Sequence, residues 1–190
     1  MADAVTTEER EKYQTMWADP RYSERSPGMR FLDDALTQLN MPMGASVIDL
    51  GCGTGRVAAE LKAQGFDVTA LDIADNAGAE FDGEFICACL WDLPSRLVPS
   101  HDYGFCADVM EHIPTDKVDA TLKNIAHIAD TVYFQIANFE CHMGDEHGLH
   151  LHLTVKPMGW WQEALARHFD FVHIEAHPKH HIAVCSNKID

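Results

Sequence analysis

Val47 to Gly55 read VIDLGCGTG, an apolar run that leads directly into three glycines at alternate positions. The apolar run is typical of a buried strand, and the residues after Gly55 have the spacing of an amphipathic helix. Glycines between a strand and a helix let the backbone approach a ligand closely. Their GxGxG spacing differs from the GxGxxG spacing of dinucleotide-binding proteins. The stretch therefore predicts a small-molecule site at the end of the first strand of an α/β sheet.

Strand and helix patterns alternate from this stretch towards the carboxyl terminus. We predict parallel strands at Ser46–Leu50, Asp67–Leu71 (ending on Asp72), Glu84–Leu90, Tyr103–Val109 and Thr131–Ile136. Two closing runs, Phe171–Glu175 and His181–Cys185, are joined by too few residues for a parallel crossover and so predict an antiparallel pair. The pattern predicts a doubly wound, mostly parallel, seven-stranded Rossmann-like sheet with a final antiparallel strand.

The first forty-four residues precede the first strand and have helical patterns. Tyr13 and Trp17 share one helix face, and Ser26-Pro27 has the signature of a helix start. We assign residues 1–44 to a short helical amino-terminal lid and residues 45–190 to one compact catalytic domain. In this assignment, no separate domain is left to bind a substrate.

The charge balance narrows the classes of partner. The chain has 190 residues, with 14 Lys and Arg against 30 Asp and Glu and a formal net charge of −16. So few basic residues disfavour a long nucleic acid, and a small or cationic substrate fits more easily. No apolar run reaches the roughly 18 residues that a membrane span needs, so we expect a soluble, cytoplasmic protein. The sequence does not indicate an oligomeric state.

The VIDLGCGTG motif, with Asp49 before the first glycine and Asp72 about twenty residues on, resembles the class I S-adenosylmethionine-dependent methyltransferases. The resemblance covers roughly residues 45–186. It implies S-adenosylmethionine as cofactor and S-adenosylhomocysteine as product. The cofactor-binding residues that it implies are Asp49, Gly51, Cys52, Gly53, Gly55, Asp72, Ile73, Trp91, Asp92 and Asp108, joined by Arg25 or Arg30 from the lid.

The resemblance also implies a role for each group. The glycines line the amino-acid moiety of the cofactor, and Asp49 faces its ammonium group. Asp72 holds the ribose, and Asp92 contacts the amino group of adenine, where Trp91 covers the base or packs in the core. Arg25 or Arg30 pairs with the carboxylate of the cofactor.

Asp108, Glu111 and His112 lie at the end of the fourth strand, where the fold places the reactive end of the cofactor. Strings of this kind shape the pocket in many methyltransferases without a metal. The pattern is also similar to the E-x-x-E-H of small-RNA 3′-end and ubiquinone-pathway O-methyltransferases, which hold a divalent ion with a later histidine. Asp108 replaces the first glutamate here, which shortens the reach. We therefore assign no metal ligand and keep a divalent metal as an alternative.

Residues 138–153 form the densest polar cluster of the chain. Leucines alternate with His150 and His152, which predicts an extended segment with both imidazoles on one face. An imidazole that titrates near pH 7 suits a general base, although both histidines also fit the solvent side of an amphipathic strand. The predicted catalytic residues are His147, His150, His152, Glu111 and His112. We expect the later histidines, His173, His177, His180 and His181, to lie on a surface hairpin remote from the cofactor.

The resemblance implies methyl transfer from S-adenosylmethionine, and we expect a small-molecule acceptor, with oxygen favoured over nitrogen by the histidine-rich loop. His150 or His152 acts as the base, and Glu111 and His112 orient the acceptor. One alternative is a metal-assisted O-methyltransferase acting on a nucleotide or an RNA end. Another is a non-catalytic, cofactor-binding subunit of a methyltransferase complex.

Overall fold

A computed structural model describes residues 4–93 and 100–187 and contains a seven-stranded sheet. The strands are β1 Ser46–Leu50, β2 Asp67–Asp72, β3 Glu84–Cys87, β4 His101–Ala107, β5 Ala129–Ala137, β6 Phe171–Ala176 and β7 His180–Ser186. Their order is β3-β2-β1-β4-β5-β7-β6. The pairs among β1 to β5 are parallel, and β7 is antiparallel to both of its neighbours. The predicted fold class, including the final antiparallel strand, is confirmed.

Six helices within residues 4–93 and 100–187 flank the sheet or precede it. They are α1 Ala4–Ala18, α2 Pro20–Ser23, α3 Leu32–Leu39, α4 Arg56–Ala63, α5 Val118–Ile128 and α6 Met158–Leu165. Short 3₁₀ turns lie at Pro27–Arg30, Leu90–Asp92, Met110–His112, Thr115–Lys117 and Asp145–His147. Pro27 begins its turn as the sequence predicts, but the expected second helix is divided into this turn and α3. None of the helices in the described residues is long and apolar enough to cross a membrane.

Apolar cores lie on both faces of the sheet because successive side chains of a strand point to opposite sides. On β5, Phe134 faces a core with Leu122 of α5 and Trp161 of α6. Tyr133 faces the other core, which α3 and α4 cover, and its ring stacks on Phe105 at 5.7 Å between centroids. Helices on both faces make the sheet doubly wound and leave the strand ends as the place for a ligand.

Two strands end earlier than the sequence predicts, and both differences lie beside the ligand site. β3 stops at Cys87, and the Ala88 N–H donates to the Asp72 carbonyl oxygen at 2.9 Å, which completes its pairing with the end of β2. β4 stops at Ala107, because Asp108 adopts a left-handed conformation with φ of +58°. A left-handed residue cannot continue a strand, so the chain bends over the sheet edge at this point.

The strand order reverses between β1 and β4, and the carboxyl ends of these strands open on a cavity of about 950 Å³. The amino-terminal segment, residues 4–30, lies across this cavity. Nε of Arg10 donates to the Ile73 carbonyl oxygen at 3.1 Å on the β2 side. The Tyr13 hydroxyl lies 2.7 Å from Nδ1 of His112 on the β4 side. The segment therefore contacts both ends of the cavity.

Candidate active site

The glycine loop between β1 and α4 has a backbone that only glycine adopts easily. Gly51, Gly53 and Gly55 have φ of +72°, +54° and +88°. A Cβ atom on Gly51 would lie 2.5 Å from Val109, and one on Gly53 would lie 2.6 Å from the Trp17 indole. Gly51 and Gly53 line the cavity, together with Cys52, whereas Gly55 is buried at the start of α4. The loop thus presents bare backbone to any occupant.

Asp72 ends β2 and fixes this loop. Its carboxylate accepts from the backbone N–H groups of Gly53 and Ala74, both at 3.0 Å. Burial raises its pKa to about 6. A carboxylate has about four lone-pair sites, so Asp72 retains the capacity to accept from hydroxyl groups in the cavity. The arrangement fits a ribose.

Asp49 lies on β1 beneath the loop and lines the cavity. Its side chain is buried, and Oδ2 has no hydrogen-bond partner among the described residues. Burial is the main cause that raises its pKa to about 7. A buried, unpartnered carboxylate oxygen is costly, and a cationic group of a ligand offsets that cost. The residue fits an ammonium group.

The other predicted cofactor residues divide between the cavity wall and the surface. Those that line the cavity are Ile73, Trp91, Asp108, Arg25 and Arg30. Asp92 is exposed and does not line it. Within the described parts of the chain, neither Arg25 nor Arg30 has an ion-pair partner. Nε1 of Trp91 donates to the Thr6 hydroxyl at 3.0 Å, which joins α1 to this end of the cavity.

Glu111, His112 and His152, which we call the acid–histidine cluster, meet at the other end. All three are buried, and each offers a ligand atom within 4.8 Å of those of the other two. The two imidazole centroids are 4.7 Å apart and the rings are nearly perpendicular. Residues from two distant parts of the sequence are thereby brought together, with His112 and His152 in the cavity wall.

Backbone carbonyl groups fix the tautomers of the two imidazoles. Nδ1 of His152 lies 2.6 Å from the Phe139 carbonyl oxygen, and Nδ1 of His112 lies 3.1 Å from that of Leu151. Carbonyl oxygens only accept, so we assign a hydrogen to each Nδ1 and a lone pair to each Nε2. Burial holds the pKa of His112 well below its usual value, and the nearby His152 adds to this effect. A neutral imidazole can accept a proton or bind a metal ion.

Glu111 lies behind this wall and does not itself line the cavity. Its Oε1 accepts from the Ala137 N–H at 2.9 Å, whereas Oε2 has no hydrogen-bond partner in the described residues. Burial raises the pKa of Glu111 well above its usual value, and the negative charge of Asp108 raises it further. Its carbonyl oxygen accepts from the Thr154 N–H at 2.9 Å, which holds the His152 segment beside it.

The three predicted loop histidines occupy different environments. His152 is buried, but His150 is exposed and outside the cavity wall. The expected shared face is absent because residues 149–157 form no strand in the described structure. This segment runs instead along residues 111–113, where the Thr154 hydroxyl donates to the Ile113 carbonyl oxygen at 2.7 Å. His147 lies on the outer surface, with Nε2 2.9 Å from a carboxylate oxygen of Asp19.

Gln135 and His180 belong to the cavity wall and were not among the predicted site residues. Gln135 on β5 is 2% exposed, and its Oε1 has no hydrogen-bond partner among the residues described. His180 also lines the cavity, although the sequence placed it on a remote surface. The reason is the antiparallel pairing, which sets His180 at the start of β7 beside Ala137 at the end of β5. The predicted antiparallel pairing already implies that the start of the last strand lies beside the end of β5, which is the ligand end of the sheet.

Known proteins resemble this chain in sequence and in fold. A family model described as a methyltransferase domain matches residues 22–177. The chain is 30% identical over 107 residues to the chloroplastic magnesium protoporphyrin IX methyltransferase of Arabidopsis thaliana, covering 50% of this chain and 33% of that protein. It is 28% identical over 82 residues to a ubiquinone biosynthesis O-methyltransferase of Chromobacterium violaceum, covering 37% and 34%. The chain spans about a third of the length of these curated relatives.

A solved structure shows the same fold. It is the 1,6-didemethyltoxoflavin-N1-methyltransferase of Burkholderia thailandensis, with bound 1,6-didemethyltoxoflavin and S-adenosylhomocysteine. The TM-score is 0.69 at 18% sequence identity, and the match covers 98% of this chain and 91% of that one.

Proposed function

The chain belongs to the methyltransferase domain family, whose cofactor is S-adenosylmethionine, and from this premise we propose that it methylates an oxygen of a small-molecule acceptor. One observation carries the proposal: the buried acid–histidine cluster opens on the same cavity as the glycine loop. The names of the curated relatives, a protoporphyrin methyltransferase and a ubiquinone-pathway O-methyltransferase, support a small acceptor. The cofactor supplies an activated methyl group, so the protein mainly has to align the acceptor.

The cofactor half of the site has groups for the amino-acid moiety and the ribose of the cofactor. We assign the backbone of Gly51 and Gly53 to the amino-acid moiety and Asp49 to its ammonium group. Asp72 accepts from the ribose hydroxyls. Residues 1–44 act as a lid, because the described part of this segment already crosses the cavity.

His152 is the general base in this proposal. A hydroxyl group that gains a methyl group must lose its proton, and the Nε2 lone pair of His152 accepts it. The Phe139 carbonyl group holds the ring in the required tautomer. His112 is neutral and orients the acceptor. Glu111 accepts from the Ala137 N–H and so holds the cluster against the end of β5. His150 has no role in the transfer, because it lies outside the cavity wall.

Transfer of a labelled methyl group to a panel of phenols, catechols and amines tests the proposal. We expect label on hydroxyl groups, and we expect His152→Gln to lower kcat at least 100-fold with the Kd of S-adenosylhomocysteine within twofold. His150→Gln, at an exposed histidine, is the matched control and keeps the kcat and the S-adenosylhomocysteine Kd of the unsubstituted chain. Label on amines alone, or full turnover by His152→Gln, contradicts the base assignment. Turnover by the isolated chain excludes a non-catalytic subunit.

A second candidate is metal-assisted O-methylation, and the acid–histidine cluster favours it. Two imidazole nitrogens and one carboxylate oxygen are a common donor set for divalent metal ions. Oε2 of Glu111 lacks a partner in the described residues, and carbonyl groups orient both imidazoles, as in many metal sites. The residues therefore fit a divalent ion, which would lower the pKa of an acceptor hydroxyl group. His152 is then a ligand and not the base.

Calorimetric titration of chelator-treated protein with Mn²⁺ distinguishes the two candidates. The metal candidate expects one bound ion, activity that the chelator removes and Mn²⁺ restores, and no binding by Glu111→Gln. Asp145→Asn, at an exposed carboxylate, is the control and binds normally. Turnover that survives chelation, without measurable Mn²⁺ binding, leaves the general-base mechanism.

A further inference from the structure

We propose that the acceptor carries an oxyanion, a carboxylate or a phosphate, which binds at the end of the cavity beside the β6–β7 hairpin. This inference rests on the proposed function and names its substrate class. The residues concerned are Arg30, Phe31, Gln135, Lys179 and His180, which we call the hairpin wall. All five line the cavity, and none of the predicted acceptor roles includes them.

Unpaired cations are the first observation. Arg25, Arg30 and Lys179 line the cavity, and none of their side chains makes an ion pair or a hydrogen bond with the described residues. Acidic residues outnumber Lys and Arg by 30 to 14, so carboxylate partners are abundant. Elsewhere, Arg56 pairs with Glu80. The lining also holds the carboxylates of Glu9, Glu24, Asp49, Asp72 and Asp108, and Arg30 and Lys179 place positive charge at the hairpin end of the cavity.

The two arginines lie towards different ends of the cavity. The Glu24 carbonyl oxygen accepts from Nη1 of Arg56 at 2.6 Å, and Arg56 follows the glycine loop directly. Arg25 is therefore held beside the cofactor end. Phe31 packs its ring against that of His180 at 5.0 Å between centroids, which places Arg30 at the hairpin end. We assign Arg25 to the carboxylate of the cofactor and Arg30 to the acceptor.

Gln135 and His180 supply the polar part of the hairpin wall. Gln135 pairs with Ile182, and Ala137 pairs with His180, so the side chains of Gln135 and His180 leave the same face of the sheet. The Gln135 amide is buried without a partner for Oε1 in the part of the chain described. An amide that donates through Nε2 and accepts through Oε1 suits an oxyanion with a neighbouring hydroxyl group.

The hairpin wall and the acid–histidine cluster meet at one residue. The Ala137 N–H donates to Oε1 of Glu111, and Ala137 is the β5 partner of His180. Opposing Cα atoms of an antiparallel pair lie about 5 Å apart. A small planar acceptor can therefore hold its reacting hydroxyl group at the cluster and its oxyanion at the hairpin wall.

Calorimetric titration of the full chain loaded with S-adenosylhomocysteine tests the inference. The probes are 3,4-dihydroxybenzoate, its neutral amide 3,4-dihydroxybenzamide, and phenyl phosphate. We expect one of the two anions to bind at least tenfold more tightly than the amide, and the tighter anion identifies a carboxylate or a phosphate as the ligand. Arg30→Met and Lys179→Met each reduce the ratio of the affinity for the tighter anion to the affinity for the amide at least threefold. Lys123→Met, at an exposed lysine of α5 outside the cavity, leaves it unchanged.

Equal affinity for the amide and both anions overturns the inference, as does the absence of binding by any probe or a preference that survives both substitutions. The Tm of each loaded variant shows whether it is folded. Failure of the proposed function is a separate outcome, because it is seen as loss of S-adenosylhomocysteine binding by the unsubstituted chain. Binding of the cofactor product without any anion preference overturns the inference alone.

Discussion

The two ends of the cavity are built in different ways. The cofactor end takes most of its wall from one strand–turn–helix unit, with Asp72 at the end of the adjacent strand. The acceptor end is assembled from four separate segments that contribute Tyr13, His112, His152 and His180. A contiguous unit can be identified from its own spacing, whereas an assembled wall depends on how the whole sheet brings its edges together. We therefore expect substitutions to act on one end and spare the other.

Gly53→Ala is expected to give the largest difference between the two ends of the cavity, because it weakens binding at the cofactor end alone. The new Cβ would lie 2.6 Å from the Trp17 indole, in a backbone with φ of +54°. We expect the affinity for S-adenosylhomocysteine to fall more than 100-fold by calorimetry, with Mn²⁺ or anion binding at the acceptor end retained. Gly44→Ala is the control, since Gly44 has φ of +81° and nothing within 4 Å of its new Cβ. Equal losses in both variants would mean that backbone strain, and not the contact with Trp17, sets the effect.

This contrast also explains what the sequence could predict. The glycine loop, Asp49 and Asp72 follow from local spacing, because a strand that enters a helix through glycines has few geometries. The fold class followed from the alternation of patterns, and the final antiparallel pair followed from the short connection. The environments of His150 and His152 did not follow, because residues 149–157 adopt no regular structure with a period of two. Gln135 reads as one polar residue in a buried strand, and only its position at the cavity distinguishes it.

A second substitution isolates the acceptor end. Thr154 is fully buried, and its hydroxyl ties the His152 segment to Ile113. Thr154→Val keeps the shape and leaves that carbonyl group unpaired, which costs about 1–3 kcal/mol. We expect kcat to fall ten- to a hundredfold, because His152 shifts, while the Kd of S-adenosylhomocysteine changes less than twofold. Thr37→Val, at an exposed hydroxyl on α3, serves as control and leaves kcat unchanged. A change confined to the cofactor Kd would show that the two ends are not separable.

The cofactor end should respond to pH through Asp49. Its folded pKa of about 7 lies above the usual value of 3.8, so the carboxyl group ionises as the pH rises through about 7. An ammonium group binds the ionised form, so affinity for S-adenosylhomocysteine should rise about tenfold from pH 6 to pH 8. Without ligand, the raised pKa means that stability falls as pH rises from about 4 to about 7. Asp49→Asn should bind with a nearly flat pH profile, and an unchanged slope in that variant would assign the titration elsewhere.

The smallest expected effect concerns the amino-terminal segment, which touches both ends. Asp19 accepts from Arg21, and Nε2 of His147 lies 2.9 Å from its carboxylate. Arg21 also contacts Glu146. These groups join the end of α1 to the turn at Asp145–His147 outside the cavity. Exposed ion pairs are weak because water and salt screen them, so Asp19→Asn should accelerate release of S-adenosylhomocysteine only about two- to threefold in stopped-flow measurements.

Asp119 provides the matched control for this effect, because it pairs with Arg167 and His168 on the α5–α6 side of the sheet. Asp119→Asn should leave the release rate unchanged, and 0.5 M salt should remove most of the difference between the two variants. A faster release in Asp19→Asn alone means that the segment opens as a lid over the cofactor. If kcat/KM for the acceptor is the same in Asp19→Asn as in the unsubstituted chain, the lid acts only at the cofactor end. If kcat/KM also falls, the motion of the segment reaches His112 through Tyr13.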